Sequence, residues 1–167
     1  MTDIETPAVT AETTPLPTAG VLRRFAAIVY DALLLLAISI GYGGLALLIN
    51  VLIQGQPPEG QKVQWGHWNI LVFIGWMLTL AGFFCYFWRR SGQTLGMRAW
   101  RMKLVDLEYG SPGFKQCAIR CLVAPFSLLF GGLGYFWRWF DPQKMTLHDR
   151  LSQTQVIVLP KEKKRRL

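Results

Sequence analysis

Formal charge is what long stretches of this chain lack. From Ala32 to Ile53 there are 22 residues without one, and from Ile70 to Trp88 another 19. Chemistry-bearing side chains are scarce too. The three cysteines, Cys85, Cys117 and Cys121, lie in or beside apolar runs, so they read as small buried residues or reduced thiols and exclude a disulfide framework. Cys117 and Cys121 are four residues apart and could share a helix face, but no histidine or acid joins them at ligand spacing, so no metal site is expected. There is no P-loop, paired-glycine cofactor fingerprint or HExxH, and Ser91, Ser111, Ser127 and Ser152 stand outside any nucleophile motif. No enzyme and no cofactor is therefore expected. A small-x-small cleavage site is also missing from the end of the first apolar run, which is roughly twice the length of a signal-peptide core, so the run is expected to remain as an uncleaved helix.

What is present is grease with a basic balance. Of 167 residues 51% are hydrophobic and 13% aromatic, yet the net charge is +8. That pairing suits one integral membrane domain rather than a nucleic-acid binder. Of the 18 Lys and Arg, only Lys62 lies between the first two apolar runs. The rest flank the helices or follow the second run, as the positive-inside rule expects for a bacterial inner (cytoplasmic) membrane protein with its N-terminus in the cytoplasm.

Residues 1–20, rich in Thr, Pro and Ala with three acids and no base, read as a disordered tail. Residues 21–159 form the membrane domain, and 160–167 a basic tail suited to anionic lipids. The first 22 charge-free residues would extend about 33 Å as a helix, enough to cross a bilayer. Gly41, Gly43 and Gly44 within it mark either a close helix approach or local flexibility. Pro57 and Pro58 break the chain, Trp65 and Trp68 read as interfacial anchors beside an exposed His67, and a second span returns to Arg89 and Arg90. Leu95, Met97 and Trp100 among Arg98, Arg101 and Lys103 predict an amphipathic stretch on an anionic membrane surface. Lys103–Leu107 and Thr154–Leu159 are strand candidates, and their pairing across the third apolar region is possible.

That third region, Cys121–Trp137, has 17 uncharged residues interrupted by Pro125 and by the glycines at 131, 132 and 134, with Arg120 and Arg138 at its ends. A span would export the basic C-terminus; an entry and return at the glycines would keep it inside, and the charge bias favours the re-entrant form. The fold class expected is thus an all-α integral membrane protein. It has two transmembrane helices, a third re-entrant or spanning segment, and a short cytoplasmic β pairing.

One acid breaks the pattern. Asp31 stands just inside the first apolar helix, where a carboxylate costs about 2.5–3.5 kcal/mol at the membrane centre and less near an interface. Arg24 lies seven residues earlier on the same helical face, with Ala27 between them. Asp31 could bind a cation or carry a proton. Alternatively, it forms a structural ion pair with Arg24, Arg120 or Arg150. LHDR at 147–150 poses the same choice for Asp149, with His148 as a proton-relay partner or an interfacial side chain. Arg120 and Arg138 would snorkel to headgroups, or Arg120 would reach an aspartate.

RRFAAIVYD at 23–31, GQTLGMR at 92–98 and LHDRLSQTQVIV at 147–158 together resemble the RDD family of membrane proteins, in the family's order. The resemblance covers about residues 20–160, and the family's arginine and two aspartates fall on Arg24, Asp31 and Asp149. The pattern departs at Gln153, where glycine is often found. What the resemblance implies is transport of unidentified ligands, with some relatives associated with sodium–proton exchange or membrane-complex assembly. The reading is therefore a transport-related inner-membrane protein, a homo-oligomer or partner of another membrane protein, with a polar cluster of Arg24, Asp31, Asp149, His148, Arg150 and Arg120. The alternative is a non-catalytic assembly or scaffold subunit whose trio is structural.

Overall fold

In a computed structural model, residues 16–129 and 132–160 are described. Two long helices, α1 (Val21–Gln54) and α2 (Trp68–Ser91), are long and apolar enough to cross a membrane. At 34 residues, α1 runs to about 51 Å, well beyond a hydrocarbon core of about 30 Å. Its first turns therefore project past the charge-free segment. Two side-chain bonds lock the helices together: the Trp76 indole donates to Ser39 Oγ at 2.9 Å and the Tyr42 hydroxyl to the Val72 carbonyl at 2.9 Å. Most remaining side chains of α1, such as Leu33, Ile40 and Leu52, are exposed. An outward apolar face of this kind has lipid as its solvent.

The rest of the chain gathers against the N-terminal end of α1. Gly92, in a left-handed conformation (φ +71°), closes α2 and turns the chain into α3 (Leu95–Ala99), from which β1 (Met102–Asp106) follows. Then come α4 (Phe114–Leu129), α5 (Leu133–Phe136), a 3-10 turn at Trp137–Trp139, α6 (Leu147–Ser152) and β2 (Thr154–Val158). The two strands pair antiparallel, Met102 opposite Val158 and Asp106 opposite Thr154. Both predicted strands thus exist, and they do pair. Their inward residues join Ala27, Cys85, Trp88, Met97 and Cys117 in the core.

Three expectations are corrected. Residues 16–20, read as the end of an unstructured tail, lie against the sheet: Thr18 bridges Ile157, Ala19 N donates to Val156 O at 2.7 Å, and Ala19 is fully buried. Small residues carry no charge that would resist such packing. Residues 1–15 and the basic tail at 161–167 lie outside the described residues. The basic stretch 95–103 is not one surface helix. It breaks at Arg101 (φ +53°), and Met97 and Met102 turn into the core, leaving Leu95 and Trp100 exposed. Finally, Arg138 does not reach outward; it donates to the carbonyls of Thr18 and Ala19 and to Thr18 Oγ1.

The third apolar segment bends by 104° between α4 and the helical turns that follow. Its beginning is tied to the sheet end through Gln116 Nε2 on the Gln153 carbonyl at 3.1 Å, and its end is tied to Thr18 through Arg138. Both ends sit by the N-terminal end of α1. Gln153 itself closes α6 with φ +52°, in the left-handed region that favours glycine.

Candidate functional site

The polar residues singled out from the sequence resolve into two centres and one bystander. The first centre is Asp149 on α6. Thr146 and Asp149 form a capping box at the start of that helix, with Asp149 Oδ2 accepting from Thr146 N at 3.3 Å. Arg24 Nη2 then reaches Oδ2 at 2.7 Å from α1, and Arg120 Nη1 reaches Oδ1 at 2.6 Å from α4. Asp149 is 0% exposed and both arginines 5%. Burial pushes the Asp149 carboxyl up, but the Arg24 and Arg120 guanidiniums outweigh it and hold the group far below the usual carboxylate range.

Each arginine is itself held. Arg24 Nε donates to the Ala19 carbonyl at 3.1 Å and Nη1 to Thr146 Oγ1 at 3.3 Å. Arg120 Nη1 also reaches Thr154 Oγ1 at 2.9 Å, and its guanidinium sits 5.5 Å above the Trp88 ring. Arg120 therefore reaches an aspartate instead of snorkelling. One carboxylate thus joins α1, α4 and α6, with β2 attached through Thr154.

His148 packs against the Tyr135 ring at 4.7 Å, with Nε2 3.0 Å from Thr146 Oγ1 and Nδ1 3.4 Å from Ser127 Oγ. Burial first, then the nearby Arg120 charge, lowers its pKa to about 3. At neutral pH the ring is uncharged and serves as a hydrogen-bond node.

The second centre is Asp31. Arg24 does not pair with it, although both share a face of α1. Seven residues are about 10 Å of axial rise, whereas side chains on a helix meet at three or four residues. Asp31 instead receives the Thr94 hydroxyl on Oδ2 at 2.5 Å and Gly96 N–H on Oδ1 at 2.9 Å. Thr94 is also the N-cap of α3, its hydroxyl accepting from Met97 N at 3.2 Å. Gly96 allows α3 to lie on α1: a Cβ there would overlap the Ala27 carbonyl and come within 2.9 Å of Asp31 Cγ. The expected ion pairs of Asp31 with Arg24, Arg120 or Arg150 are absent among the described residues.

Arg150 is the bystander. It is exposed, outside the cluster, and reaches in to the buried carboxylate of Asp141. Asp141 escaped the sequence reading, although Asp-Pro is a turn signal; it accepts from Met145 N and Gln143 N at 3.1 Å each and so shapes the approach to α6. Thr94, Gly96 and Thr154 were not foreseen as site residues either. Thr146 left a sequence trace in the T-x-x-D spacing of its capping box.

The two centres open onto one cavity of about 300 Å³, bordered by Arg24, Asp31, Phe84, Trp88, Arg120 and His148. Among the described residues, no cluster of three or more His, Cys, Asp or Glu could hold a metal ion.

The RDD family profile matches residues 18–153, which include Arg24, Asp31, Thr94, Gly96, Arg120 and Asp149 and stop just before Thr154 and β2. The chain belongs to the RDD family. It is also 36% identical over 90 residues to an uncharacterized protein of Rickettsia prowazekii (strain Madrid E), an alignment covering 53% of this chain and 50% of that protein. The chain thus spans about half the length of that curated relative. No solved structure matches. Arg24, Asp31 and Asp149 are not one triad in this structure: Arg24 serves Asp149, and Asp31 serves α3.

Proposed function

We propose that this RDD protein is a transport-related protein of the bacterial inner membrane, with Asp31 as the acid that meets an ion or small polar solute. The observation carrying this is a buried carboxylate in an apolar helix, bordering a cavity, with no basic side chain within 4.0 Å among the described residues. Such an acid lacks the charge compensation that Asp149 has twice over. A proton or a monovalent cation supplies it, and exchange of that counter-charge couples the site to a gradient. The Arg24–Asp149–Arg120 centre then keeps the wall of the cavity in place. Two spans enclose little of a pathway, so the working form is a homo-oligomer.

The orientation that fits has the N-terminus in the cytoplasm. Arg23, Arg24, Arg89 and Arg90 lie at one end of the two spans, and the opposite loop carries only Glu59 and Lys62. The third segment enters and returns on this reading, which its 104° bend supports, together with a start held at Gln153 beside β2 and an end held at Thr18, which bridges β2. A reporter fused after Leu167 is expected to read cytoplasmic, and periplasmic activity overturns the re-entrant arrangement.

A second reading is favoured by the two protein donors on Asp31, which also make it an anchor for α3 in an assembly subunit. Asp31→Asn separates the two. On the transport reading the variant accumulates in the membrane, while proton or monovalent-cation flux into proteoliposomes, followed with a pH-sensitive dye, is lost. Normal flux in a folded variant sinks that reading; failure to accumulate, with recovery by Asp31→Ser but not of flux, favours the anchor.

A further inference from the structure

The cavity has an unpaired donor side opposite in character to Asp31. Arg120 is 5% exposed, and its two hydrogen bonds both leave from Nη1, to Asp149 and Thr154. Nε and Nη2 have no acceptor among the described residues. Trp88, whose ring lies under that guanidinium, is 7% exposed, and its Nε1–H is fully enclosed with no acceptor among the described residues. A buried indole N–H ordinarily finds one, because an unmet donor has given up its water for nothing in return. Charge points the same way. Arg24 and Arg120 share a single carboxylate, and His148 is neutral, so that centre carries one uncompensated positive charge. The walls beyond it are apolar: Ile28, Leu35, Phe84 and Leu128.

We propose that the cavity binds an amphipathic anion, its phosphate or carboxylate head on Arg120 and the Trp88 N–H and its alkyl body along the apolar wall. The head would take the guanidinium nitrogens left free by Asp149, and the Trp88 N–H, enclosed beneath that guanidinium in this structure, would reach the head once the guanidinium shifts onto it. A guanidinium binds a tetrahedral or planar oxyanion through paired N–H groups, and a cavity with few polar groups set in apolar walls is the ordinary form of a small-ligand site. This inference deepens the reading of the cavity as a solute site but does not depend on Asp31 titrating.

The test uses the full chain in phosphatidylcholine nanodiscs, with empty discs as the blank, and three water-soluble probes: hexyl phosphate, hexanol and inorganic phosphate. Calorimetry is expected to give saturable binding of hexyl phosphate, one per chain, at least tenfold tighter than either of the others. Trp88→Phe keeps the ring and removes the donor; it should weaken hexyl phosphate about five- to twentyfold and leave hexanol unchanged. A diazirine-bearing alkyl phosphate provides a readout that needs no variant, and its adducts should map to α2 and α4 around residues 84–88 and 120–128. Equal binding of hexanol means apolar partition and overturns the proposal. Equal binding of inorganic phosphate means a site for free anions, and adducts elsewhere place the ligand outside the cavity; either result overturns it. Arg150→Gln, at a residue that does not border the cavity, should bind hexyl phosphate as well as the unaltered chain does. Absent binding beside an Asp31-dependent flux refutes this inference alone, whereas binding without flux refutes only the transport reading.

Discussion

Replacing Asp149 by Asn is the most severe single change the structure offers for its size. The side chain keeps its shape and loses its charge, so two guanidiniums that are each 5% exposed remain near one another with no anion between them. Removing one partner of a buried pair costs about 3–5 kcal/mol, mainly through the stranded charge. Whole domains are stable by only about 5–15 kcal/mol. For a chain of this size the loss corresponds to about 6–20 °C in melting temperature. The assay is thermal unfolding of the purified protein in detergent, with accumulation in the membrane measured in parallel. Arg150→Gln is the internal control, because Arg150 is exposed and pairs that reach solvent contribute about 0–1 kcal/mol. Pairing Asp149→Asn with Arg24→Gln removes one stranded charge and should recover part of the loss, a coupling of about 1–3 kcal/mol. The sign of the pH dependence is fixed as well. Asp149 is more acidic folded than unfolded, so its contribution is complete above the unfolded value of about 3.9 and is lost only as pH falls through the folded value. Acidifying from pH 8 to 5 should leave it untouched. If Asp149→Asn melts within 2 °C of the unaltered chain, as roughly 0.5 kcal/mol would give, the centre is not a structural lock.

Two further outcomes follow from neighbouring geometry. Gly96→Ala should destabilise the docking of α3 by about 1–3 kcal/mol, because the new methyl overlaps the Ala27 carbonyl and crowds Asp31; protease sensitivity near residues 92–101 reports it, and normal resistance argues against the close contact. His148, lowered to about 3 by burial and by Arg120, takes up its proton more readily unfolded, where its value is about 6.5. Its contribution is therefore whole above about pH 6.5 and declines as pH falls towards the folded value, by about 1.4 kcal/mol per pH unit at most. Melting temperature should fall between pH 7 and 5, and His148→Gln should flatten that slope; an unchanged slope shows that another group causes it.

Much of this architecture was legible in the residues, and the parts that were not share a cause. Charge-free length announces a span because lipid cannot hydrate a formal charge, so α1 and α2 could be read directly. The strands at 102–106 and 154–158 stood out by β-branched and alternating composition. Which aspartate Arg24 serves could not be read that way. Helical periodicity states that Arg24 and Asp31 share a face, but the 10 Å of rise between them (about seven residues) leaves Arg24 free for a carboxylate more than a hundred residues away in sequence. Residues 16–20 misled for a related reason: Thr, Pro, Ala and Gly have a loop composition, and only the edge of β2 gives their backbone something to bond. Thr94 and Gly96 were hidden because a hydroxyl and a missing Cβ acquire meaning only from what lies opposite them.

The separation of the two aspartates alters what the family's three charges mean in this chain. Asp149 has more positive charge than it can neutralise, on two elements, α1 and α4, that it ties to its own helix α6, and its environment keeps it ionised. Asp31 has hydrogen-bond donors but no counter-charge among the described residues, and it lies where α1 passes from the folded end into its charge-free stretch. A lock requires the first condition and gains nothing from the second. An exchangeable site requires the second, since a permanently paired acid has no room for a travelling ion. The surplus positive charge beside Asp149 and the deficit at Asp31 border the same cavity, so an anion on one wall and a cation or proton on the other would neutralise both. A neutral pair of that kind is what an apolar passage admits at the least electrostatic cost.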